Sequence, residues 1–275
     1  MKQSILSLMV ISLLLLGAGC SVSQNKPASQ TTIGQVINNK NKTEPQTLPE
    51  GWQRRSVAYA DGRNVSWIIA PLEKDAWRWT LANDPSNPQS VSGWRGIATA
   101  DLVINGAYFD EKFQPAGYFK DLESKSSKPW PDKKSQTDPK SYSGLIRIKD
   151  GQLKIIHLTD TPSNEPGNDE QALLTYPTLV SKGDAVVKED SKKYARRTIL
   201  AQDGKGKTYA VIVESGAPSL YEASQWLATQ PEKFEVAVNL DGGPSTGLSY
   251  NLNGSNFEIP SAPIPNVLTA NHMAR

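Results

Sequence analysis

Only one cysteine, Cys20, and two histidines, His157 and His272, occur in the 275 residues. A single thiol excludes an internal disulfide and any CxxC-type zinc site, and two imidazoles leave little material for a His-rich metal cluster. An excess of charge of one sign is also missing. Thirty Lys and Arg stand against 28 Asp and Glu, a net charge of +2, so there is no electrostatic case for nucleic acid as a partner. No internal repeat is present. Long apolar runs are absent apart from Ile5 to Leu16, which only two serines interrupt.

What is present suits a globular chain with 37% hydrophobic and 21% charged residues. Nineteen prolines and twenty glycines point to many turns and a strand-rich fold. Seven Trp and nine Tyr exceed the needs of the core, which leaves some for a binding surface. The first twenty residues have the layout of a secretory signal: Lys2, the apolar run, then Gly17-Ala18-Gly19 before Cys20. Small residues ending at a cysteine resemble a bacterial lipobox, although Gly17 stands where Leu is usual. This implies lipidation of Cys20, a membrane partner through the acyl chains, and an exported protein held in the cell envelope. Ser21 after the cysteine permits outer-membrane sorting in a Gram-negative cell. Residues 21–47 are too polar to offset their ordering entropy and read as a flexible tether. Residues 48–275 then form one domain.

Within that domain most periodicities are those of strands. Arg54 to Tyr59 and Asn64 to Pro71 flank the turn Asp61-Gly62, Trp77 to Leu81 follows, and Leu102 to Asn105 is short and buried. Gly144 to Lys149 and Gln152 to His157 alternate around Asp150-Gly151, a strong hairpin signal. Thr198 to Gln202 and Thr208 to Glu214 repeat it around Asp203-Gly204-Lys205-Gly206. Ser219 to Thr229 is the clearest helix, with Ser219 as cap and Glu222 three residues on. Lys120 to Lys140 reads as an exposed insertion. The expected fold class is α+β, a single domain with a mixed, twisted β-sheet and a few packed helices.

The chemistry concentrates in two strand ends. Phe234 to Leu240 runs into Asp241-Gly242-Gly243-Pro244-Ser245-Thr246, presenting a carboxylate followed by amides that a ligand can approach closely. Val103-Ile104-Asn105-Gly106 leads into Ala107-Tyr108-Phe109-Asp110 in the same manner. Each alone reads equally well as a turn. Gly243-Pro244-Ser245-Thr246-Gly247 has the spelling of a serine-hydrolase elbow, with His272 as a conceivable base. The elbow needs a following helix, and Leu248-Ser249-Tyr250 does not supply one.

Together and in this order, the segments resemble the phosphodiester glycosidase family. The resemblance rests on Asn105 to Asp110, Ser143 to Ile146, Tyr176 to Val180, Arg197 to Ala201, Asn239 to Ser245 and Ile264 to Leu268, and spans roughly residues 100 to 270. Ala107 and Pro244 replace common glycines. It implies hydrolysis between a sugar's anomeric carbon and phosphate in a carbohydrate phosphodiester. Asp241 is then the leading catalytic carboxylate and Asp110 a second, with Arg197 gripping phosphate. Asn105 and Asn239 orient sugar or water, and Gly242, Gly243, Ser245 and Thr246 donate to the phosphate. The active cleft is expected where the strands ending at Asn105 and Asn239-Asp241 lie side by side. Two rivals remain. One is a non-catalytic envelope lipoprotein that binds polysaccharide through Trp and Tyr. The other is a metal-dependent phosphodiesterase holding Ca²⁺ or Mg²⁺ with Asp110, Glu214 and Asp241. No cofactor is otherwise required.

Overall fold

The computed structural model describes residues 46–123, 126, 128–138 and 143–273. The signal segment, Cys20 and the tether up to residue 45 lie outside these residues, as does part of the Lys120–Lys140 insertion. In chain order the first elements are β1 (Gln53–Ala58), β2 (Asn64–Leu72), β3 (Trp77–Asn83), helix α1 (Val91–Ala98), β4 (Leu102–Asn105), β5 (Phe119–Lys120) and helix α2 (Lys133–Gln136). The middle of the chain adds β6 (Gly144–Lys149), β7 (Gln152–His157), β8 (Glu170–Thr175), β9 (Thr178–Ser181) and β10 (Asp184–Ala185). Then follow β11 (Thr198–Asp203), β12 (Thr208–Ser215), helix α3 (Leu220–Ala228), β13 (Phe234–Asn239), β14 (Leu248–Leu252), β15 (Ser255–Ile259) and β16 (Asn266–His272).

Three sheets result: a seven-stranded one ordered β1-β2-β12-β11-β13-β9-β10, a five-stranded one ordered β15-β14-β4-β16-β3, and a four-stranded one ordered β5-β8-β6-β7. Every strand pairing among the described residues is antiparallel. This corrects the expected α+β class with a mixed sheet. The protein is mainly β, with three short α-helices among the described residues. The physical source of the error is β13. Its near-continuous apolar run resembles a parallel strand covered on both faces, and it is indeed covered on both. One face of the seven-stranded sheet packs through Ile68, Leu200, Ile212 and Val238 on residues of the other two sheets, among them Trp79, Ile104, Ile146 and Leu173. The opposite face, carrying Trp67, Ile199, Val211 and Ala237, lies under Ala223 and Leu227 of α3. Antiparallel pairing therefore coexists with double burial.

Local chemistry explains several boundaries. The β6–β7 hairpin turns through Asp150 and Gly151, with φ of 51° and 74°, as a tight two-residue turn of this kind demands. At α3, Ser219 accepts from the Glu222 amide while the Glu222 carboxylate accepts from the Ser219 amide, so both halves of the capping box form. No helix among the described residues is long and apolar enough to cross a membrane. Gln46, inside the segment read as tether, exchanges two hydrogen bonds with the Glu258 backbone.

Candidate active site

The two strand ends meet. They do so across two sheets, since β4 lies in the five-stranded sheet and β13 in the seven-stranded one, which corrects the expectation of strands side by side. The Asp241 amide donates to the Gly106 carbonyl at 3.1 Å. The Asn105 Nδ2 donates to the Asp241 carbonyl at 2.8 Å, while its Oδ1 accepts from Thr198 Oγ1 at 2.5 Å and from the Gly247 amide at 3.1 Å. Asn105 is fully buried, so its side chain acts as a brace that ties β4, β11 and the Asp241 turn together.

The Asp241 carboxylate sits at the head of that turn. Its Oδ1 accepts from the Gly242 amide at 2.8 Å, and Ser245 also donates to it. Burial raises the pKa of the carboxyl, and these two hydrogen bonds oppose the rise. Arg197 packs beside the turn. A Cβ built on Gly242 would stand 2.8 Å from the Arg196 carbonyl and 3.6 Å from Arg197 Nη1, so the absence of a side chain there is what lets the turn close on the Arg196 backbone, with the Arg197 guanidinium beside it. Gly243, with φ of +60°, opens the 3₁₀ turn Gly243–Ser245, and its amide donates to the Arg196 carbonyl at 2.9 Å.

Arg197 is only 8% exposed, yet its partners are carbonyls: Lys193 O at 2.8 Å from Nη2 and Pro218 O at 3.4 Å from Nε. No acid forms an ion pair with it among the described residues. Burial depresses its pKa, though a guanidinium stays charged. Asn239, also fully buried, donates through Nδ2 to Tyr108 Oη at 2.5 Å and to the carbonyls of Tyr176 and Leu240, while its Oδ1 has no partner among the described residues. Thr246 is buried with its hydroxyl likewise unpartnered. A carboxylate, a buried cation without an acid partner among the described residues and the unpartnered Thr246 hydroxyl thus lie at or beside one turn. Such a set can hold an anion and place an acid or base beside it.

Other anticipated residues lie elsewhere. Asp110 Oδ1 accepts from the amides of Lys112 and Gln114, both at 2.9 Å, and closes its own exposed loop. Glu214 forms a two-pronged pair with Arg54, at 2.7 Å for each bond, and accepts from Ser66. With Asp241 they do not make a metal cage: no group of three or more His, Cys, Asp or Glu among the described residues is arranged to hold an ion. Ser245 is followed by β14 rather than a helix. His272 stands six residues along β16 from Asn266, whose carbonyl accepts from Gly106, about 20 Å away at strand rise. Both facts oppose a serine hydrolase. Tyr108 and Thr198 lie within the quoted motifs but carried no assigned role. Their hydroxyls, beside motif asparagines, were the available signal.

Over residues 98–270 the chain matches the phosphodiester glycosidase family. Its fold is similar to that of the catalytic domain of zebrafish N-acetylglucosamine-1-phosphodiester alpha-N-acetylglucosaminidase, solved auto-inhibited by its pro-peptide: 17% identity, TM-score 0.60, 84% of this chain and 85% of that one. A hypothetical protein from Synechocystis is similar at 15% identity and TM-score 0.54, over 80% of this chain and 61% of that one. No curated protein sequence matches. Since the family match spans well over half of its length, the chain belongs to the phosphodiester glycosidase family.

Proposed function

We propose that the protein hydrolyses the bond between a sugar's anomeric carbon and phosphate in a glycosyl phosphodiester of the envelope or extracellular glycans, anchored there through Cys20. The observation that carries this reading is the buried Arg197 guanidinium, without an acid partner, packed against the Asp241-Gly242 turn. A phosphodiester supplies the missing negative charge. Arg197 holds two of its oxygens, and the Thr246 hydroxyl, which has no partner among the described residues, contributes a further donor. An anomeric phosphate leaves readily, so the remaining demand is to stabilise positive charge at the anomeric carbon and to deliver water.

Asp241 meets that demand. Water's oxygen bonds to the anomeric carbon as the carbon–oxygen bond to phosphate breaks. The electron pair departs with the phosphomonoester, and the carboxylate takes up water's proton. In the two-step form a carboxylate oxygen displaces the phosphomonoester to make a glycosyl ester, and water then bonds to the anomeric carbon and releases the carboxyl with its proton. Asn239 and Asn105 act by fixing the turn. Asp110 accepts from its own loop amides and Glu214 pairs with Arg54, so the mechanism assigns neither carboxylate to a cation, and turnover should persist in EDTA.

The purified protein, incubated with a synthetic N-acetylglucosamine-1-phosphodiester, should release free sugar. Binding without release, unchanged in Asp241→Asn, would instead favour a polysaccharide-binding lipoprotein.

A further inference from the structure

His157 ends β7 and does not belong to the Asp241 turn. Its Nδ1 lies 3.0 Å from Asp160 Oδ2. That carboxylate is itself held, accepting from Ser181 Oγ at 2.5 Å and standing 3.7 Å from Lys182 Nζ. The Ser181 hydrogen bond, then His157 and Lys182, keep Asp160 below the usual carboxylate range. A carboxylate facing Nδ1 fixes the tautomer and leaves Nε2 as the ring's remaining polar atom. The imidazole is only 13% exposed; it lines a cavity of about 800 Å³.

The walls of this cavity combine hydroxyl groups with an apolar stretch of Pro177, Val186, Val187 and Leu220. Ser143 and Thr178 pair at 3.3 Å, and Thr159 contributes an Oγ1 that is buried with no partner among the described residues. Tyr176, 38% exposed, and Lys193 complete the part that matters here. The carbonyl of Tyr176 accepts from Asn239, and that of Lys193 accepts from Arg197. Cavity and catalytic turn therefore share two walls. The arrangement Ser181-Asp160-His157 has the composition of a nucleophilic triad but the wrong order. The serine bonds to the carboxylate rather than to the imidazole, so it has no base.

We propose that His157, held by Asp160, is a specificity-determining residue that hydrogen-bonds a hydroxyl of the leaving group, and that this cavity receives that leaving group as a polyol phosphate. The inference rests on the hydrolase reading above, which sets the phosphate on Arg197 and leaves one ester arm to extend past Tyr176. A cavity of this size holds a whole small molecule. Its imidazole and hydroxyls reward an arm bearing hydroxyls, whose carbons can rest on Pro177, Val186, Val187 and Leu220. Asp160 is a positioning residue.

The test compares two substrates with the same glycosyl-1-phosphate, one esterified to glycerol and one to methanol. His157→Ala should lower kcat/KM for the glycerol diester by about tenfold and leave the methyl diester unchanged. Asp160→Asn should reduce the same discrimination. Equal losses on both substrates, or a loss on neither, overturn the proposal. A second readout needs no turnover. The chain has two histidines, and His272→Asn leaves one, so the nitrogen resonances of His157 can be followed by NMR as glycerol phosphate is added. A shift of Nε2 is expected, and its absence at high glycerol phosphate overturns the proposal. If neither diester turns over while the shift occurs, the hydrolase reading fails and the binding assignment stands.

Discussion

Arginines in two regions of this molecule are treated in opposite ways. In β1, in the turn before β2 and in the four-stranded sheet each arginine meets an acid: Arg54 with Glu214, Arg55 with Glu232, Arg63 with Glu222 and Asp61, and Arg147 with Glu170. At the start of β11, Arg196 and Arg197 meet only carbonyls, although Asp241 belongs to the adjoining turn. The paired arginines are partly exposed and would lose little if left in water. Those of the second group are more buried, and burial depresses the pKa of both. An uncompensated buried charge costs several kcal/mol, so the contrast is one between charges paired within the fold and a charge, that of Arg197, which the proposed substrate would neutralise.

The largest way to break the comparison is to remove the unpaired charges. Arg197→Ala and Asp241→Asn should each lower turnover of a glycosyl phosphodiester by at least ~10²-fold, as read by release of free sugar. Wild-type rates in either variant would remove the assigned roles. Inorganic phosphate should raise the Tm of the wild type and not of Arg197→Ala, since an anion that binds only the folded state stabilises it.

Two adjacent glycines sharpen the same point. At Gly242 an added Cβ would stand 2.8 Å from the Arg196 carbonyl, so Gly242→Ala must push the turn from the start of β11. It should cost about 1–3 kcal/mol in stability and about tenfold in rate, the equivalent of one misplaced hydrogen bond. At Gly243 the space is open, and only the backbone, at φ of +60°, resists a side chain. Gly243→Ala should cost about 1 kcal/mol with turnover largely kept. Denaturant unfolding and rate measurements on the pair separate contact from conformation.

Much of this architecture was legible residue by residue, because its determinants are local. Asp150-Gly151 supplies both positive φ values of its hairpin, and Ser219 with Glu222 writes the start of α3. Helix α1 was not read, since Gly93 and Gly96 weaken its propensity; the Ser90 cap and the buried Trp94 hold it. β8 is buried at all six positions and shows no alternation, so periodicity missed it. The same division runs through the site. Asp241 and Gly242 follow from a strand that ends in an acid and glycines. The engagement of Glu214 does not, because Arg54 reaches it from 160 residues away. Asp110 looked equally chemical in sequence, and only the loop amides that it accepts reveal its task.

Stability against pH gives a smaller but directional test. The Asp241 carboxyl has a folded pKa raised above its ordinary 3.8. Its proton is therefore held more tightly in the folded state, and the contribution is complete below 3.8 and lost as pH rises through the raised value. Asp241→Asn lacks this loss. Its Tm should exceed that of the wild type at neutral pH, by about 2–4 °C for each kcal/mol relieved, and the gap should close as the solution is acidified. Glu214, Glu170 and Asp160 are lowered instead. Their contributions, present above the ordinary carboxylate range, fade as pH falls through the lowered values, equally in both proteins, and cancel in the difference. A gap that widened in acid would contradict the burial of Asp241.

The smallest effect belongs to the paired region. Glu214→Gln removes the charge that Arg54 engages but keeps an acceptor for it, and the two side chains are 26% and 28% exposed, so solvent screens most of the lost attraction. The expected cost is at most about 1 kcal/mol, read as a small shift of the denaturation midpoint, with turnover equal to that of the wild type. Added salt should shrink that cost further, as it does for any exposed pair. The converse pattern, unchanged stability with turnover lost, would place Glu214 in the chemistry after all and would erase the line between arginines paired in the fold and the arginine proposed to hold phosphate.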